Sequence, residues 1–570
     1  MNVNAVWDIE CAEWDRFVVG GVWTPDDGVS IYTDESQLAD HLLSLPPGAT
    51  AWAHAGGRYD VLWLLDWCRR QGRIPEAQIR MSGSSISALA IKDGPTLRDS
   101  CRLIPMSLRQ ACEMFPGARK EHLDMPCRCG RACGGYCSIR ADMSGSELAR
   151  LKGYLAADIE SLRDTLTALA TYASAHDILL RGTVAGTAWA TAQLRCGLEN
   201  AEWNWGTYSR ARAGYYGGRV EVAQLEASEV ERYDRNSAYP AALMLPVPTG
   251  EFRALDARHA GLAWGRGKPG IYQARVQVPE QLAPPLPIRA GSRIVYPWGV
   301  LAGSWTRDEI HHAIDGGSKL LGLDGAVAWA DEQPLLAPHV ERCFDLRKKA
   351  DSAPLKVWLK FLANSLTGAF AQDPEQDMVA LGDYADDPDY EQVGKYDWIW
   401  RRKINHISTR AHVHWAATLT ARARVELHAQ ITHAGDAWCY SDTDSVISSE
   451  ALTRNVGDQL GEWKHEGSAT HYRAIAPKVY TYTDDKGLRF ARAKGIPDAV
   501  RVWDQIAAGG RVELDRGVKS LLVSARTDAI FARNDGHRAL KPGTEWVGGR
   551  LRDGTRTRAP SIRDLVRLPR

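Results

Sequence analysis

Several short stretches of this chain bring carboxylates to places where they could hold a metal. Residues 440–448 read YSDTDSVIS, with Asp442 and Asp444 two residues apart between two apolar runs. Taken alone, such a stretch is a solvated hairpin turn, because Asp, Ser and Thr are turn formers. The alternative is a metal site, since hard divalent cations take carboxylate oxygens. DRNSAYP (234–240) puts Asp234 directly after the strand-like EVERYD, with Ser237, Tyr239 and Pro240 close behind. In NAVWDIE, Val6, Asp8 and Glu10 alternate and so share one face of a strand. HAGGRYD ends on Asp60, and YLAAD sets Tyr154 and Asp158 four apart on one helix face. Each acid alone is weak, and a surface carboxylate explains it as well. Their order along the chain is the stronger signal.

The elements that would position these acids can be read from periodicity. RYDVLWLLDWCRR follows a glycine pair and reads as a helix. GSELARLKGYLAADIESLRDTLTALATYASA is a long helical pattern with Leu148, Leu151, Leu155, Ile159 and Leu162 at three- and four-residue steps. The segment from about 246 to 340 is rich in Pro and Gly and reads as an insertion. DSAPLKVWLKFLANSLTGAF is a helix that Asp351 or Ser352 can cap, with Pro354 in its first turn. Leu355, Leu359, Leu362 and Leu366 form its buried stripe. Lys356, Lys360 and Asn364 stack on another face. That face is either a solvated lysine row or a surface offering positive charge and an amide to one ligand.

At 570 residues the chain is long enough for several domains, and 44% hydrophobic with 25% charged residues is ordinary for a globular protein. No apolar run reaches membrane-spanning length, and the first residues lack a signal-peptide pattern. The expectation is a cytoplasmic protein without a membrane partner. The formal net charge is zero, so any polyanion surface must be local. Arg401–Arg424 holds six Arg/Lys and no Asp or Glu, and Lys541–Arg570 has eight basic against three acidic residues. Of eleven cysteines, Cys127, Cys129, Cys133 and Cys137 are crowded in CRCGRACGGYC. They are either a structural Zn²⁺ site or a glycine-rich loop of reduced thiols, because this spacing is not a common zinc pattern.

The ordered set DRNSAYP, KFLANSLTG (360–368) and YSDTDS resembles family B DNA polymerases, whose corresponding motifs are D-x-x-S-L-Y-P, K-x-x-x-N-S-x-Y-G and Y-x-D-T-D-S. Asp8, Glu10, Asp60, Tyr154 and Asp158, ahead of these, resemble the 3′–5′ proofreading exonuclease of the same family. YYGG (215–218), KVY (478–480), and Lys120 with Leu123 after DSCRLIPMSLRQACEMF resemble elements of its protein-primed branch, found in phages and linear plasmids. The resemblance runs from about Asp8 to Gly495. It implies an α/β (α+β multidomain) chain, with an RNase H-like exonuclease domain followed by a right-hand palm, fingers and thumb. The implied layout is exonuclease at 1–185, linker and first palm segment at 186–245, terminal-protein-region insertion at 246–339 and fingers at 340–370. A second insertion for strand displacement and processivity follows at 371–404, then the rest of the palm at 405–510 and the thumb at 511–570.

The resemblance also implies roles. Asp234 and Asp444 would bridge two Mg²⁺ (or Mn²⁺) ions, with Asp442 close by, for transfer of a nucleotide to a 3′-hydroxyl. Lys360, helped by Lys356 or Arg347, would bind the triphosphate. Tyr239 would pack under the sugar and exclude a 2′-hydroxyl, with Ser237 beside it and Asn364 touching nucleotide or template. Tyr215, Gly217, Gly218, Ser365, Gly368, Lys478 and Tyr480 would contact DNA. Asp8, Glu10, Asp60 and Asp158 would hold two further ions, with Tyr154 orienting the attacking water. The implied partners are template and primer DNA, dNTPs and a terminal protein, and the implied state is a monomer in the host cytoplasm if phage-encoded. Three positions depart from the family: Thr367 stands where Tyr is usual, Ala238 where Leu is, and Ala55 where Asn is. Competing readings are a polymerase with a DNA primer or none, a nuclease with a degenerate polymerase half, and a non-catalytic DNA-binding protein. The last two predict lost acids, and the acids are present.

Overall fold

The structure, a computed structural model, describes residues 3–568 apart from 14, 118–119, 121–122, 124–137, 497, 528–529, 532 and 540–544, and excludes the side chains of 513–518 and 533–539. Cys127, Cys129, Cys133 and Cys137 lie outside the described residues. Among the described residues, no helix is long and apolar enough to cross a membrane.

The alternation at Val6, Asp8 and Glu10 becomes the strand Ala5–Ala12, near one end of a ten-stranded mixed sheet. It pairs antiparallel with Arg16–Thr24 and parallel with Thr50–Ala53, which runs parallel to Thr96–Asp99. The sheet continues through Ser85–Ile91 and Ala77–Ser82. It then takes in Glu375–Leu381, Ile399–Asn405 and Tyr390–Gln392 from much later in the chain, with Val379 opposite Ile79. The helix Gly145–Ala175 packs on one face through Leu151, Leu155, Ile159 and Leu162, while Leu148 is only half-buried. A capping box between Ser144 and Glu147 sets its start. The other face carries Glu35–Leu43 and Asp60–Arg70, and its core also takes Leu521, Ala525, Ile530 and Phe531.

A second, seven-stranded antiparallel sheet runs in the order Arg489–Ala493, Val479–Asp484, Trp463–Ala476, Glu226–Arg235, Ser445–Ser448, Trp438–Asp442 and Val220–Val222. The helix Val413–Ala434 packs against it. Residues 247–333 contribute a four-stranded sheet, Val247–Asp256, Lys319–Gln333, Gly270–Val278 and Gly299–Thr306, with helices Ala257–Gly265 and Arg307–Asp315. Helices Ala337–Lys349 and Ala353–Phe370 form a hairpin. Of the two candidate caps it is Ser352 that accepts from the Leu355 amide. The leucine stripe of Ala353–Phe370 shares one core with Gly145–Ala175, and Trp358 Nε1 donates to the Leu103 carbonyl at 2.9 Å.

The basic stretch Arg401–Arg424 is not a free cationic strip. Arg401 pairs with Glu391 and Asp377, Arg402 with Asp389, Arg422 with Asp308, and buried Arg424 with Glu309. The same stretch holds two buried histidines. His412 stacks on Trp415 at 3.9 Å and His414 on Trp329 at 4.5 Å. Burial pushes His412 and His339 down to about 4 and His428 to about 3. Each is therefore neutral when folded but protonates when unfolded, so its contribution is present above about pH 6.5 and lost as pH falls. The loss by pH 5 is on the order of 1–2 kcal/mol per histidine. In urea titrations, His412→Phe, which keeps the stack, is expected to shrink the fall in stability between pH 7 and pH 5 by about that amount. An unchanged fall would contradict the assignment.

Candidate active sites

The hairpin at 440–448 folds as read, as strands Trp438–Asp442 and Ser445–Ser448. Ser445 pairs with Asp234 on the neighbouring strand, and the Arg235 amide donates to the Asp444 carbonyl at 2.7 Å. This register sets Asp444 beside Asp234 although they are far apart in sequence. Asp234 is exposed, yet the packed walls and the charges of Asp444 and Glu466 push its carboxyl up to about 6, while Lys360 acts to lower it. Asp444 is raised too, by burial and by Asp442, with Lys360 and Lys478 opposing. Two carboxylates that resist sharing charge form a site ready for cations.

Asp442 is held differently. Lys478 Nζ reaches both of its oxygens at 2.6 Å, and the Tyr440 and Thr443 hydroxyls donate to it at 3.3 and 3.2 Å. Thr443 between the two acids has φ 63°, a left-handed conformation that is an outlier for a β-branched residue. Its amide donates to the Arg219 carbonyl at 2.7 Å. Gly218 lies against it so closely that a Cβ there would stand 2.6 Å from Thr443 Oγ1.

The other positions singled out in the sequence fall as follows. Tyr239 is half-buried on the helix Ala238–Leu243, and burial with the charge of Asp444 pushes its hydroxyl up to about 12. Ser237 precedes it at φ 50° without capping that helix. Lys360 and Lys356 are exposed one turn apart, and Arg347 lies over the Phe344 ring at 5.9 Å. Asn364 Oδ1 and Thr367 Oγ1, one turn apart, are both buried without a hydrogen-bond partner. Ser365 is half-buried and Gly368 exposed. Tyr215 and Gly217 are half-buried. Lys478, at φ 63°, salt-bridges Asp442, and Tyr480 is buried with its ring 4.9 Å from that of Tyr440.

The N-terminal acids also converge. Asp8, Glu10 and Asp158 have ligand oxygens within 4.8 Å of one another, the one such three-residue group among the described residues. Asp60 stands beside it, accepting from the Ile9 amide at 3.2 Å. Burial and mutual repulsion push Asp8 up to about 7 and raise Glu10 and Asp60 well above their ordinary values. Lys120 donates to the Tyr154 hydroxyl at 2.7 Å and to Asp158. Tyr154 and Asp158 thus share a face and also a cation. The glycine pair of HAGGRYD has a steric reason: a Cβ on Gly57 would stand 1.6 Å from the Ile86 carbonyl oxygen. Ala55 has φ 63°, ψ 11°. Asn tolerates this conformation better than Ala, so Ala55→Asn is expected to stabilise the fold by roughly 0.5–1 kcal/mol. Thermal melts check this, and a lowered midpoint would refute it.

Two arginines that matter here, Arg219 and Arg424, carried no sequence signal as single residues. Lys478, which the resemblance sets toward DNA, also pairs with Asp442. Arg219 and Arg424 hold the backbone beside the DTD turn, and Arg219 directly follows YYGG.

The fold is shared with solved polymerases. The phi29 DNA polymerase complexed with primer-template DNA and incoming nucleotide superposes with a TM-score of 0.72 at 15% identity, over 94% of this chain and 100% of that one. The phi29 enzyme with single-stranded DNA gives 0.67 at 15% identity, over 90% and 96%. Residues 146–409 match the family described as DNA polymerase type B, organellar and viral. Two curated relatives, each named "Probable DNA polymerase", come from Neurospora intermedia, at 23% identity over 47% of this chain and 30% of that protein, and from Podospora anserina, at 23% over 51% and 28%. This chain therefore spans about 30% of the length of those relatives. The mixed α/β, several-sheet architecture is that of these solved polymerases. Over residues 146–409 the chain is thus similar to the type B DNA polymerases of organellar and viral kind.

Proposed function

We propose that the protein is a template-directed DNA polymerase with a 3′–5′ proofreading exonuclease, and that it starts chains on a terminal protein. The observation that carries the polymerase reading is the register Ser445↔Asp234, which sets Asp444 against Asp234 with the charge of Lys360 acting on both. Asp234 and Asp444 suit a divalent cation pair, because each carboxylate is raised by a negative neighbour. Bound Mg²⁺ would make the attacking 3′-hydroxyl more acidic and offset the charge of the leaving pyrophosphate. Lys360, with Lys356 or Arg347, binds the triphosphate. Tyr239 packs under the sugar. Asn364 touches the nascent base pair. Lys478 holds Asp442 and reaches toward the primer end. Tyr215, Gly217 and Gly218 line the DNA path.

In the nuclease site, Asp8, Glu10, Asp158 and Asp60 suit two further cations, since three of them are pushed toward protonation when no cation balances them. Tyr154 orients the attacking water. The helical hairpin Ala337–Lys349 and Ala353–Phe370 serves as fingers. The segment 246–339 faces the terminal protein, and 371–404 serves strand displacement and processivity.

Protein priming rests on YYGG, KVY and the likeness to phi29 DNA polymerase. Incubation with candidate terminal protein, labelled dNTP and Mg²⁺ tests it. Label covalently attached to protein is expected. Extension of a DNA primer alone would favour the DNA-primed reading instead.

A further inference from the structure

Three arginines and two glutamates are buried together behind the YYGG segment, and no role in catalysis has yet been given to them. Arg219, Arg424 and Arg550 are no more than 2% exposed, and Glu221 and Glu309 no more than 5%. Arg219 Nε donates to Glu221 Oε2, and Arg550 Nη1 to Glu221 Oε1 at 3.3 Å, so one carboxylate joins two guanidiniums. Both guanidiniums also face the Trp438 ring, at 5.8 and 5.0 Å. Arg550 further donates to Thr557 Oγ1 at 2.7 Å and to the Leu282 carbonyl at 3.0 Å, and Arg219 Nη1 to the Pro284 carbonyl at 2.9 Å. Arg424 grips Glu309 at 2.7 and 3.0 Å and donates to the Tyr216 and Gly217 carbonyls at 2.6 and 3.0 Å.

Buried ion pairs of this kind are weak sources of stability, because desolvation offsets most of the attraction. What they fix is geometry. The backbone of Arg219 is also the acceptor for the Thr443 amide, and Gly218 abuts the Thr443 side chain. Glu221, on the strand Val220–Val222, pairs with Ser441 one residue before Asp442. Thr557 Oγ1 donates to the Val222 carbonyl at 2.6 Å. A left-handed β-branched residue is strained and persists only where its surroundings over-determine it. Here the Arg219 carbonyl and Gly218, next to the triad Arg219–Glu221–Arg550, supply that constraint.

We propose that Arg219, Glu221 and Arg550 are positioning residues for nucleotide transfer: the buried triad fixes the Thr443 turn, and with it Asp444, and so makes the C-terminal hairpin of strands Arg550–Asp553 and Arg556–Arg558 part of the polymerase site. This rests on the polymerase reading. The test uses the full chain with primer-template DNA, dNTP and Mg²⁺, and reads kcat and KM for dNTP, single-strand nuclease rate and thermal midpoint. Wild-type extension is the first arm; its absence would sink the polymerase reading itself. Given that extension, Arg550→Met is expected to lower kcat at least tenfold at a temperature well below its midpoint, with KM within about threefold and the nuclease rate unchanged. Glu221→Gln, which leaves two buried guanidiniums without a carboxylate, is expected to lower kcat further, and Arg550→Lys to recover part of the loss. Should Arg550→Met not fold, Thr557→Val reads the same quantities, and a fall in its kcat supports the triad. An unchanged kcat in the folded variants, or equal losses of synthesis and nuclease activity, would overturn the proposal.

Discussion

Asp444→Ala is expected to lower dNMP incorporation by at least 10³-fold, about 4 kcal/mol of transition-state stabilisation, while single-strand degradation stays within twofold. The structure argues that no neighbour can stand in. Asp442 is the obvious substitute, but both its oxygens are taken by Lys478 at 2.6 Å. It also sits at the end of the strand Trp438–Asp442. Asp442→Asn is accordingly expected to cost less than Asp444→Ala. The loss can also be separated from misfolding. Asp444 is among the charges that raise Asp234, so its removal relieves repulsion in the cation-free protein. The midpoint of Asp444→Ala without divalent ions is expected to equal or exceed that of the parent. Primer extension with calorimetry on the same preparation checks both halves, and retained synthesis would sink the site.

The acids, and most of the elements that carry them, were legible because each follows a local rule. The turn chemistry of YSDTDS gave a hairpin, period-2 alternation gave Ala5–Ala12, and the leucine stripe with its Ser352 cap gave Ala353–Phe370. The pairing of Asp234 with Ser445 is a long-range register, and only the family resemblance pointed to it. Other features depend on contacts that no window of sequence contains. The strands Glu375–Leu381 and Ile399–Asn405 read as part of an insertion, yet they extend the N-terminal sheet. Arg401–Arg424 read as a local basic stretch, but four of its six cations meet acids from elsewhere in the chain. Lys478 and the Arg219–Glu221–Arg550 triad are tertiary in the same sense: an arginine in sequence looks alike whether it meets a phosphate or a buried glutamate.

The double variant Asp8→Ala, Asp158→Ala is expected to abolish 3′ degradation, by 10³-fold or more, and to leave primer extension intact. It also carries a signature independent of turnover. Asp8 is raised to about 7, and Glu10 and Asp60 lie well above their ordinary values, because burial and one another's charge disfavour ionisation. The folded state therefore holds protons that the unfolded chain releases. The stability these groups contribute is complete below about pH 4 and is lost as pH rises through about 7. A divalent cation can replace those protons, so Mg²⁺ is expected to stabilise the parent at pH 8 by about 1–3 kcal/mol when well above its dissociation constant. It should do so far less at pH 5, where protons compete for the same oxygens. In the double variant two of the four carboxylates are gone, and this part of the Mg²⁺-dependent rise in midpoint should vanish together with the nuclease rate. The Asp444→Ala variant should keep it. A double variant that still degrades 3′ ends at the parent's rate would remove the nuclease assignment. One that loses degradation but keeps the full Mg²⁺ response at pH 8 would show that these acids act without holding the cation.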